Sequence, residues 1–425
     1  MATFKIRSIK FNFLMNLILS GSSLLFPLIT FPLVSRALFS ANYGLVNWGI
    51  SIVTWLSLVA MLGVNRYGIR EVARVRDDAS ALAKTTLEIL ALTAITTAIV
   101  FICFIASLFL VTKFADNRAL LLICSATLLC NTLGVGWFFQ GIEQYSYITV
   151  RGIAIKAVCF VGVIALVHVP DDYLIYAALV TVSGAVANLV NFFYMGSILR
   201  RGCSGGVRAA LASGSTFKPF RHFKQLLVFF LIVASISVYT VLDTTMLGFL
   251  STDAQVGYYA AAINVKTALQ GIVAALSGVL LPRASNMLAK GEDEQFRAVI
   301  RKAVWAVLGI SVPMAVLLAA FGTPLITWYA GADFAAAGVV VSVVGFAVVP
   351  IGLSVIFCDA VMVPLGLERY CVFIYAAAAI IDFCGNLVLI PMLGALGAAL
   401  ATLSVEVLIA IVEFIIIHNR IWPQK

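Results

Sequence analysis

Residues 86–112 read TLEILALTAITTAIVFICFIASLFLVT, and Glu88 is the single charged side chain in this stretch. A bilayer has a hydrocarbon core about 30 Å thick, which roughly 20 apolar residues of helix can cross. The stretch is long enough, and it lacks the alternation of apolar and polar residues, over about 10 residues, that marks strands of a membrane barrel. It therefore predicts a transmembrane α-helix.

Eleven further stretches follow the same pattern. The twelve predicted spans lie at roughly 11–35, 45–65, 86–112, 119–141, 152–169, 173–197, 225–249, 256–281, 304–329, 337–363, 371–391 and 394–417. The composition agrees, because 62% of the 425 residues are hydrophobic and 11% are charged, whereas a typical soluble domain has about 25% charged residues. This excludes a soluble enzyme and a disordered chain. The predicted fold class is an all-α polytopic membrane protein with twelve transmembrane helices.

The basic residues indicate the orientation of the spans. The chain has 28 Lys and Arg against 19 Asp and Glu, a net charge of +9. With the N-terminus in the cytoplasm, Arg36, Lys113 and Arg118 fall outside, Lys266 falls within a span, and every other Lys and Arg is cytoplasmic. Positive residues collect on that side of membrane proteins. Both termini are therefore predicted to be cytoplasmic, and the positive charge requires no nucleic-acid partner.

Several kinds of chemistry leave no trace in the sequence. The eight cysteines include no Cys-x-x-Cys pair and the three histidines are scattered, so no metal, cofactor or disulfide framework is indicated. There is no Walker A loop, which excludes ATP-driven export by this chain. The predicted outside loops are short, although a membrane glycosyltransferase, ligase or polymerase usually needs a sizeable one for its acid and base groups. We expect translocation rather than catalysis.

The polar stretch 198–224 divides the chain into six spans on either side. We predict an N-terminal six-helix lobe at 1–197, a cytoplasmic linker at 198–224 and a C-terminal six-helix lobe at 225–425. Because each lobe holds an even number of spans, both enter the membrane from the same side.

Short motifs recur between the two lobes. The pattern Ala-x-x-Gly occurs at 41–44 and at 254–257, and Arg70 and Arg283 follow at the same spacing. Parallel repeats related by an axis along the membrane normal are a known transporter architecture. The sequence thus predicts two parallel-repeat six-helix bundles around a central cavity.

Several stretches resemble bacterial polysaccharide flippases of the Wzx type, over nearly the whole chain. They are FPLI (26–29), PLVSRAL (32–38) with Tyr43-Gly44, WFFQGIE (137–143), Asp243 with Leu247-Gly248, VGYY (256–259) with Pro282-Arg283, and GALGAA (394–399) with Glu406. The most specific is the motif that contains Gln140, Gly141 and Glu143.

This resemblance implies a member of the multidrug/oligosaccharidyl-lipid/polysaccharide exporter superfamily in the bacterial inner membrane. The implied activity is to flip an undecaprenyl-diphosphate-linked oligosaccharide from the inner to the outer leaflet, for O-antigen or a related surface polysaccharide. The implied partners are this lipid-linked substrate, membrane lipid and polysaccharide polymerase machinery.

Charged residues inside spans are expensive and therefore candidates for function. Lys266 lies about 14 Å below the outer end of the eighth span and Asp243 about 9 Å below the outer end of the seventh, at 1.5 Å per residue. These spans run antiparallel, so the two side chains either form a structural ion pair or serve the substrate, with Lys266 attracting the diphosphate and Asp243 orienting it.

Two further carboxyl groups lie near mid-depth, Asp382 in the eleventh span and Glu406 in the twelfth. Burial penalises the charged form of a carboxyl group, so these residues are candidates to carry H⁺ or Na⁺. The alternative is that each is a hydrogen-bonded or paired interior group. Glu413 and Asp359 lie near the cytoplasmic end, and we expect them to be solvated.

Arg66, Arg70 and Arg151 cluster at the predicted cytoplasmic mouth, and Arg283 matches Arg70 in the second lobe. A guanidinium group grips phosphate in a bidentate manner, so these arginines form a candidate entry clamp for a lipid diphosphate. The alternative is that they only set the topology.

Three rival functions stay open. A cation-coupled multidrug exporter often carries an acidic residue in its first span, but residues 11–35 contain no Asp or Glu. A peptidoglycan-precursor flippase commonly has fourteen spans, more than this chain provides. A membrane polysaccharide polymerase conflicts with the short outside loops.

Overall fold

The computed structural model describes residues 9–202 and 217–421, and these ranges are helical with no strand. The fourteen α-helices are α1 (Ile9–Met61), α2 (Val64–Val75), α3 (Ala79–Leu110), α4 (Thr112–Asp116), α5 (Arg118–Thr132), α6 (Gly136–Gly141), α7 (Tyr145–Leu166), α8 (Tyr173–Gly202), α9 (Phe223–Leu250), α10 (Asp253–Ala289), α11 (Asp293–Ala330), α12 (Ala337–Val355), α13 (Glu368–Leu393) and α14 (Ala395–Ile421). Short 3₁₀ turns lie at Pro170–Asp172, Pro219–His222 and Ala332–Phe334, and a π-helical turn lies at Ile356–Met362. The predicted all-α fold class is confirmed.

The helices have the length and composition of membrane spans. Within the described ranges, nine helical segments are long and apolar enough to cross a membrane. The first of them, Phe11–Val75, contains 65 residues, which is about 100 Å of helix at 1.5 Å per residue and enough for two crossings. The chain is a multi-pass membrane protein, and its division into twelve spans in two repeats stays a prediction.

The outside turn predicted at 36–44 is a kink within helix α1. Phe39 has φ 56° and ψ 175°, and helical structure continues on both sides of it. The kink releases the amide of Ser40 from the helix, and this amide donates instead to Asp333 Oδ2 at 2.6 Å. A side chain 293 residues away thus satisfies the backbone group that the kink exposes.

The fourth predicted span is interrupted by a turn. Helix α5 ends at Thr132 and α6 begins at Gly136. Asn131 stabilises this turn through two hydrogen bonds. Its backbone carbonyl accepts from Gly134 N at 2.9 Å, and its side-chain oxygen accepts from Asn188 Nδ2 at 3.0 Å. Apolar content alone does not reveal this break, which depends on a partner from α8.

The chain folds into two compact units. The first contains residues 1–26 and 49–237, and the second contains residues 27–48 and 238–425. In the first unit the aromatic side chains of Trp137, Phe138 and Phe139 are fully buried, together with Tyr67. The predicted lobe boundaries stay a prediction, and part of the predicted linker, 203–216, lies outside the described residues.

Two glycines allow α1 and α10 to touch in the second unit. A Cβ atom on Gly44 would lie 2.5 Å from the backbone nitrogen of Gly257, and a Cβ on Gly257 would overlap the backbone carbonyl of Ser40. Small residues let helix backbones approach this closely. The Ala-x-x-Gly pattern noted at 41–44 and 254–257 is therefore one packing contact.

We expect Gly257→Ala to lower the melting temperature of the purified protein in detergent. The added methyl group meets backbone rather than a flexible side chain, and overpacking of this kind costs about 1–3 kcal/mol. Gly196→Ala on α8 is the matched control, because a Cβ there meets nothing within 4 Å. Equal melting temperatures for the two variants would contradict the packing role.

Candidate functional site

Seven polar residues of the second unit meet on four helices, and we call them the four-helix cluster. They are Asp243 on α9, Tyr259 and Lys266 on α10, Asp382 and Asn386 on α13, and Thr402 and Glu406 on α14. Spacings of four and seven residues place the members of each pair on one face of their helix. The cluster includes all four intramembrane charges that the sequence singled out.

Asp243 is the centre of this cluster, with 4% of its surface exposed. Its Oδ1 accepts from Asn386 Nδ2 at 2.7 Å, and its Oδ2 accepts from Thr402 Oγ1 at 2.8 Å and from the hydroxyl of Tyr259. Hydrogen bonds to a charged acceptor are worth about 1.5–3 kcal/mol each. Asp243 therefore holds α9, α10, α13 and α14 together.

Asp382 and Asn386 leave acceptor atoms without a partner. Asn386 Nδ2 donates also to Asp382 Oδ2, at 3.2 Å. Asp382 Oδ1 and Asn386 Oδ1 are buried, and among the described residues neither has a hydrogen-bond partner. Buried polar atoms are normally satisfied, and carboxylate and amide oxygens are the ligands of hard cations. These two atoms could accept a proton donor or a cation.

The charges of the cluster do not balance. Lys266 is half-buried and interacts electrostatically with Glu406 foremost, and also with Asp243 and Asp382. Within residues 9–202 and 217–421 it forms no direct ion pair with Asp243, whose partners are neutral donors. One ammonium thus faces three carboxyl groups. Unneutralised buried charge is costly, so a bound proton or cation would stabilise the cluster.

Arg66 and Arg70 lie on α2 in the first unit, and both are exposed. Arg70 forms an ion pair with Glu71 at 2.9 Å and lies over the rings of Tyr67 and Phe229, at 5.2 and 5.1 Å from the centroids. Helical spacing puts the two arginines on one face. Their role as a phosphate clamp stays a prediction.

Arg151 is placed differently from the α2 arginines. Its Nη1 donates to the carbonyl of Ala187 at 2.7 Å, and its guanidinium lies 5.8 Å from the ring centroid of Tyr147. Its buried Nε has no hydrogen-bond partner among the described residues. Arg283 is exposed on α10 of the second unit. No hydrogen bond between described residues joins Arg151 to Arg66 or Arg70.

The motif at 137–143 forms a junction between α2 and α6 in the first unit. A Cβ on Gly141 would lie 2.5 Å from Val72 Cγ1, so the glycine permits close packing. Glu143 has φ 59° and pairs with Arg76 Nη1 at 2.6 Å. Its other oxygen accepts from Asn12 Nδ2 at 3.4 Å.

A cavity of about 490 Å³ lies beside this junction. Its lining includes Gln140 and Glu143 of the motif, and also Asn12, Asn16 and Arg76. The motif residues therefore combine a packing role with a share in the lining of a cavity. The contribution of Arg76 to this site was not predicted.

A second cluster of polar residues, around Glu88 in the first unit, was not predicted from the sequence. Glu88, with 0% of its surface exposed, accepts from Arg221 Nη2 at 2.6 Å and from the amide of Lys218 at 2.8 Å. His222 lies between Glu88 and Tyr67, with its ring nitrogens 3.2 Å from Glu88 Oε2 and 2.5 Å from Tyr67 Oη. The signal was available, because Glu88 is the one charge in 86–112 and a buried carboxylate needs partners.

We expect the first unit to lose stability on acidification through His222. Burial lowers the pKa of His222 more than its hydrogen bond to Glu88 raises it, and the nearby Arg221 lowers it further. Below the ordinary histidine pKa of about 6.5, His222 is protonated in the unfolded chain but stays neutral in the folded chain. The free energy of unfolding therefore decreases as the pH falls.

The measurement compares melting temperatures at about pH 7.5 and 5.5, on either side of the histidine range, for three proteins. The drop should be smaller in His222→Gln than in wild type. His168→Gln, at an exposed position, should match wild type. Identical drops in all three would show that His222 is not responsible.

The prediction that Glu413 is solvated is wrong. Glu413 has 0% of its surface exposed, whereas Asp359 is exposed as expected. Helix α14 continues to Ile421, and the end of α12 and the start of α13 pack against this part of it.

Comparison with known proteins finds two relatives of similar length that are named for O-antigen transport. It is 25% identical to a Shigella dysenteriae protein named "Putative O-antigen transporter", over 95% of this chain and 98% of that one. It is 21% identical to an Escherichia coli strain K12 protein of the same name, over 97% of each.

Solved structures share the fold. The lipid II flippase MurJ in an inward closed conformation superposes with a TM-score of 0.70 at 15% identity, over 96% of this chain and 87% of that one. A multidrug resistance MATE family transporter of the MOP superfamily, in an inward-facing conformation, gives 0.61 at 12% identity, over 94% of each chain. The family model of polysaccharide biosynthesis proteins matches residues 9–288. The chain therefore belongs to the polysaccharide biosynthesis protein family.

Proposed function

We propose that this protein flips an undecaprenyl-diphosphate-linked oligosaccharide from the cytoplasmic to the outer leaflet of the bacterial inner membrane, by alternating access and with both termini in the cytoplasm. The observation that carries the proposal is the similarity, over almost the full length, to two proteins named for O-antigen transport. The fold shared with a lipid II flippase supports translocation rather than catalysis. Polysaccharide polymerase machinery then consumes the flipped repeat unit.

Lys266 is the residue we propose for the diphosphate. Its ammonium group is half-buried on α10 and is held by the electrostatic attraction of three carboxyl groups, with no direct ion pair among the described residues to occupy it. With H⁺ or Na⁺ bound to the neighbouring carboxyl groups, a phosphate group would find this cation desolvated and available. Arg66, Arg70, Arg151 and Arg283 are the proposed contacts of the diphosphate during entry, because guanidinium binds phosphate in a bidentate manner.

Asp382 and Glu406 are the proposed coupling carboxyl groups, with H⁺ or Na⁺ as the coupling ion. The excess of carboxyl groups in the four-helix cluster supports this, as do the unpartnered oxygens of Asp382 and Asn386. Melting temperatures in Na⁺ and in choline would separate the two ions. A Na⁺-specific rise that Asp382→Asn removes favours Na⁺, and equal values favour H⁺.

Deletion of the gene tests the function. We expect loss of surface polysaccharide together with lipid-linked repeat units stranded on the cytoplasmic side, and recovery of both on expression of the wild-type chain. Stranded units distinguish this function from a polymerase, whose loss leaves repeat units on the outer leaflet. Drug sensitivity with normal polysaccharide would refute the proposal and support a multidrug exporter.

A further inference from the structure

Three buried residues of the second unit bring metal-ligating atoms together. Cys358 lies in the π-helical turn that follows α12, Cys371 lies on α13 and Glu413 on α14. A sulfur or oxygen atom of each lies within 4.8 Å of the others. The sequence spacing gave no hint of this, because the residues meet only when three helices pack.

The sulfur atoms are close enough to bind one ion. Cys358 Sγ lies 2.8 Å from Cys371 Sγ, and the two are not joined in a disulfide. Met362, one turn further along the π-helical segment, is fully buried and places its Sδ 3.8 Å from Cys371 Sγ. π-Helical turns often occur at functional sites, and this one brings the sulfur atoms of both Cys358 and Met362 within 3.8 Å of Cys371 Sγ.

The environment of Glu413 also favours a bound ion. Both of its carboxylate oxygens are buried, and among the described residues neither has a hydrogen-bond partner. The hydroxyl groups of Ser354 and Tyr375 interact with this carboxyl group, and they also bond to each other at 3.0 Å. A carboxyl group that is buried in this way, with an oxygen close to two thiols, is available as a metal ligand.

We propose that Cys358, Cys371 and Glu413 bind a Zn²⁺ ion, with Met362 or a water molecule at the fourth position. Zinc takes cysteine sulfur at about 2.3 Å and carboxylate oxygen at about 2.0–2.2 Å in tetrahedral geometry. The thiols must separate by about 1 Å to reach that geometry, and binding releases their two protons. The two thiolates match the charge of the ion, and the Glu413 carboxylate leaves the site with a net charge of −1. The carboxylate favours Zn²⁺ over Cu⁺, which prefers an all-sulfur set.

The ion would join the end of α12, the start of α13 and the last turns of α14. Because the ligands come from three helices, metal binding would stabilise their packing in the second unit. The site uses none of the residues of the four-helix cluster. The test of Zn²⁺ binding is therefore independent of the proposed transport function.

The full-length protein, purified in detergent with its thiols reduced, is incubated with Zn²⁺, desalted and analysed for bound metal. We expect one Zn²⁺ per chain, and a Co²⁺-loaded form with the intense visible absorption of a tetrahedral thiolate site. Cys358→Ser, Cys371→Ser and Glu413→Gln should each weaken Zn²⁺ binding by about tenfold or more, since even supporting residues of metal sites contribute 10–100-fold.

Two variants serve as matched controls and should bind like wild type. Cys384→Ser changes an exposed thiol on the same helix as Cys371, and Asp359→Asn changes an exposed carboxylate beside Cys358. In wild type warmed to just below its melting temperature, where buried thiols become reactive, Zn²⁺ should also protect Cys358 and Cys371, but not Cys384, from thiol labelling. This keeps the test valid if a ligand variant fails to fold.

Four results would overturn the assignment. Three of them are Zn²⁺ content unchanged in all three ligand variants, labelling unaffected by Zn²⁺, and binding of Cu⁺ in place of Zn²⁺ by the same residues. A disulfide between Cys358 and Cys371 that persists in the reduced preparation would also overturn it.

Discussion

Lys266→Ala is expected to abolish surface polysaccharide while the amount of protein in the membrane stays the same. The substitution removes the cation of the four-helix cluster, which faces Glu406, Asp243 and Asp382. An interaction of this ammonium with a substrate phosphate is worth about 1.5–3 kcal/mol, or roughly 10–100-fold in binding. The measurement is surface polysaccharide by gel and antibody, alongside an immunoblot of the membrane fraction.

Two controls accompany this variant. Lys266→Arg keeps the charge and should retain more polysaccharide than Lys266→Ala. Lys290→Ala removes an exposed lysine that immediately follows α10 and should have no effect. Unchanged polysaccharide in Lys266→Ala would remove Lys266 from the substrate path.

Asp243→Asn is expected to impair both the fold and transport. An asparagine at this position turns an NH₂ group toward donors that now point at the carboxylate, the Tyr259 hydroxyl, the Thr402 hydroxyl and the Asn386 amide. Loss of charge-assisted hydrogen bonds without replacement costs about 2–4 kcal/mol, so the melting temperature should fall by several degrees. Surface polysaccharide should fall at least as much as in Lys266→Ala.

Asp171→Asn is the matched control for this variant. It makes the same chemical change at an exposed position in the Pro170–Asp172 turn, where substitutions cost about 0.5 kcal/mol or less. A melting temperature of Asp243→Asn equal to that of Asp171→Asn would show that Asp243 does not hold the four helices together.

The helical class followed from the apolar runs because a bilayer leaves few alternatives to a helix. Turns and breaks were less predictable. The break between α5 and α6 depends on Asn188, and the kink at Phe39 depends on Asp333. In both cases a side chain that is distant in the sequence forms the hydrogen bond that stabilises the break. A prediction from neighbouring residues therefore cannot find it.

The candidate site was predictable in its charges but not in its neutral partners. Lys266, Asp243, Asp382 and Glu406 stood out because charge is scarce in the spans. Asn386, Thr402 and Tyr259 did not, since polar uncharged residues also serve ordinary contacts between membrane helices.

The remaining sites depend on segments that are far apart in the chain. Glu88 gains its partners from 218–222, and Glu413 meets Cys358 and Cys371 only after α12, α13 and α14 pack.

Reconstitution tests the central claim most directly. The purified protein is placed in liposomes that carry an undecaprenyl-diphosphate-linked oligosaccharide on both leaflets, and a membrane-impermeant glycosidase cleaves the sugars that reach the outer face. We predict that wild-type protein makes the inner-leaflet pool cleavable, and that Lys266→Ala and protein-free liposomes protect it. Equal protection in wild-type and protein-free liposomes would contradict the assignment as a flippase.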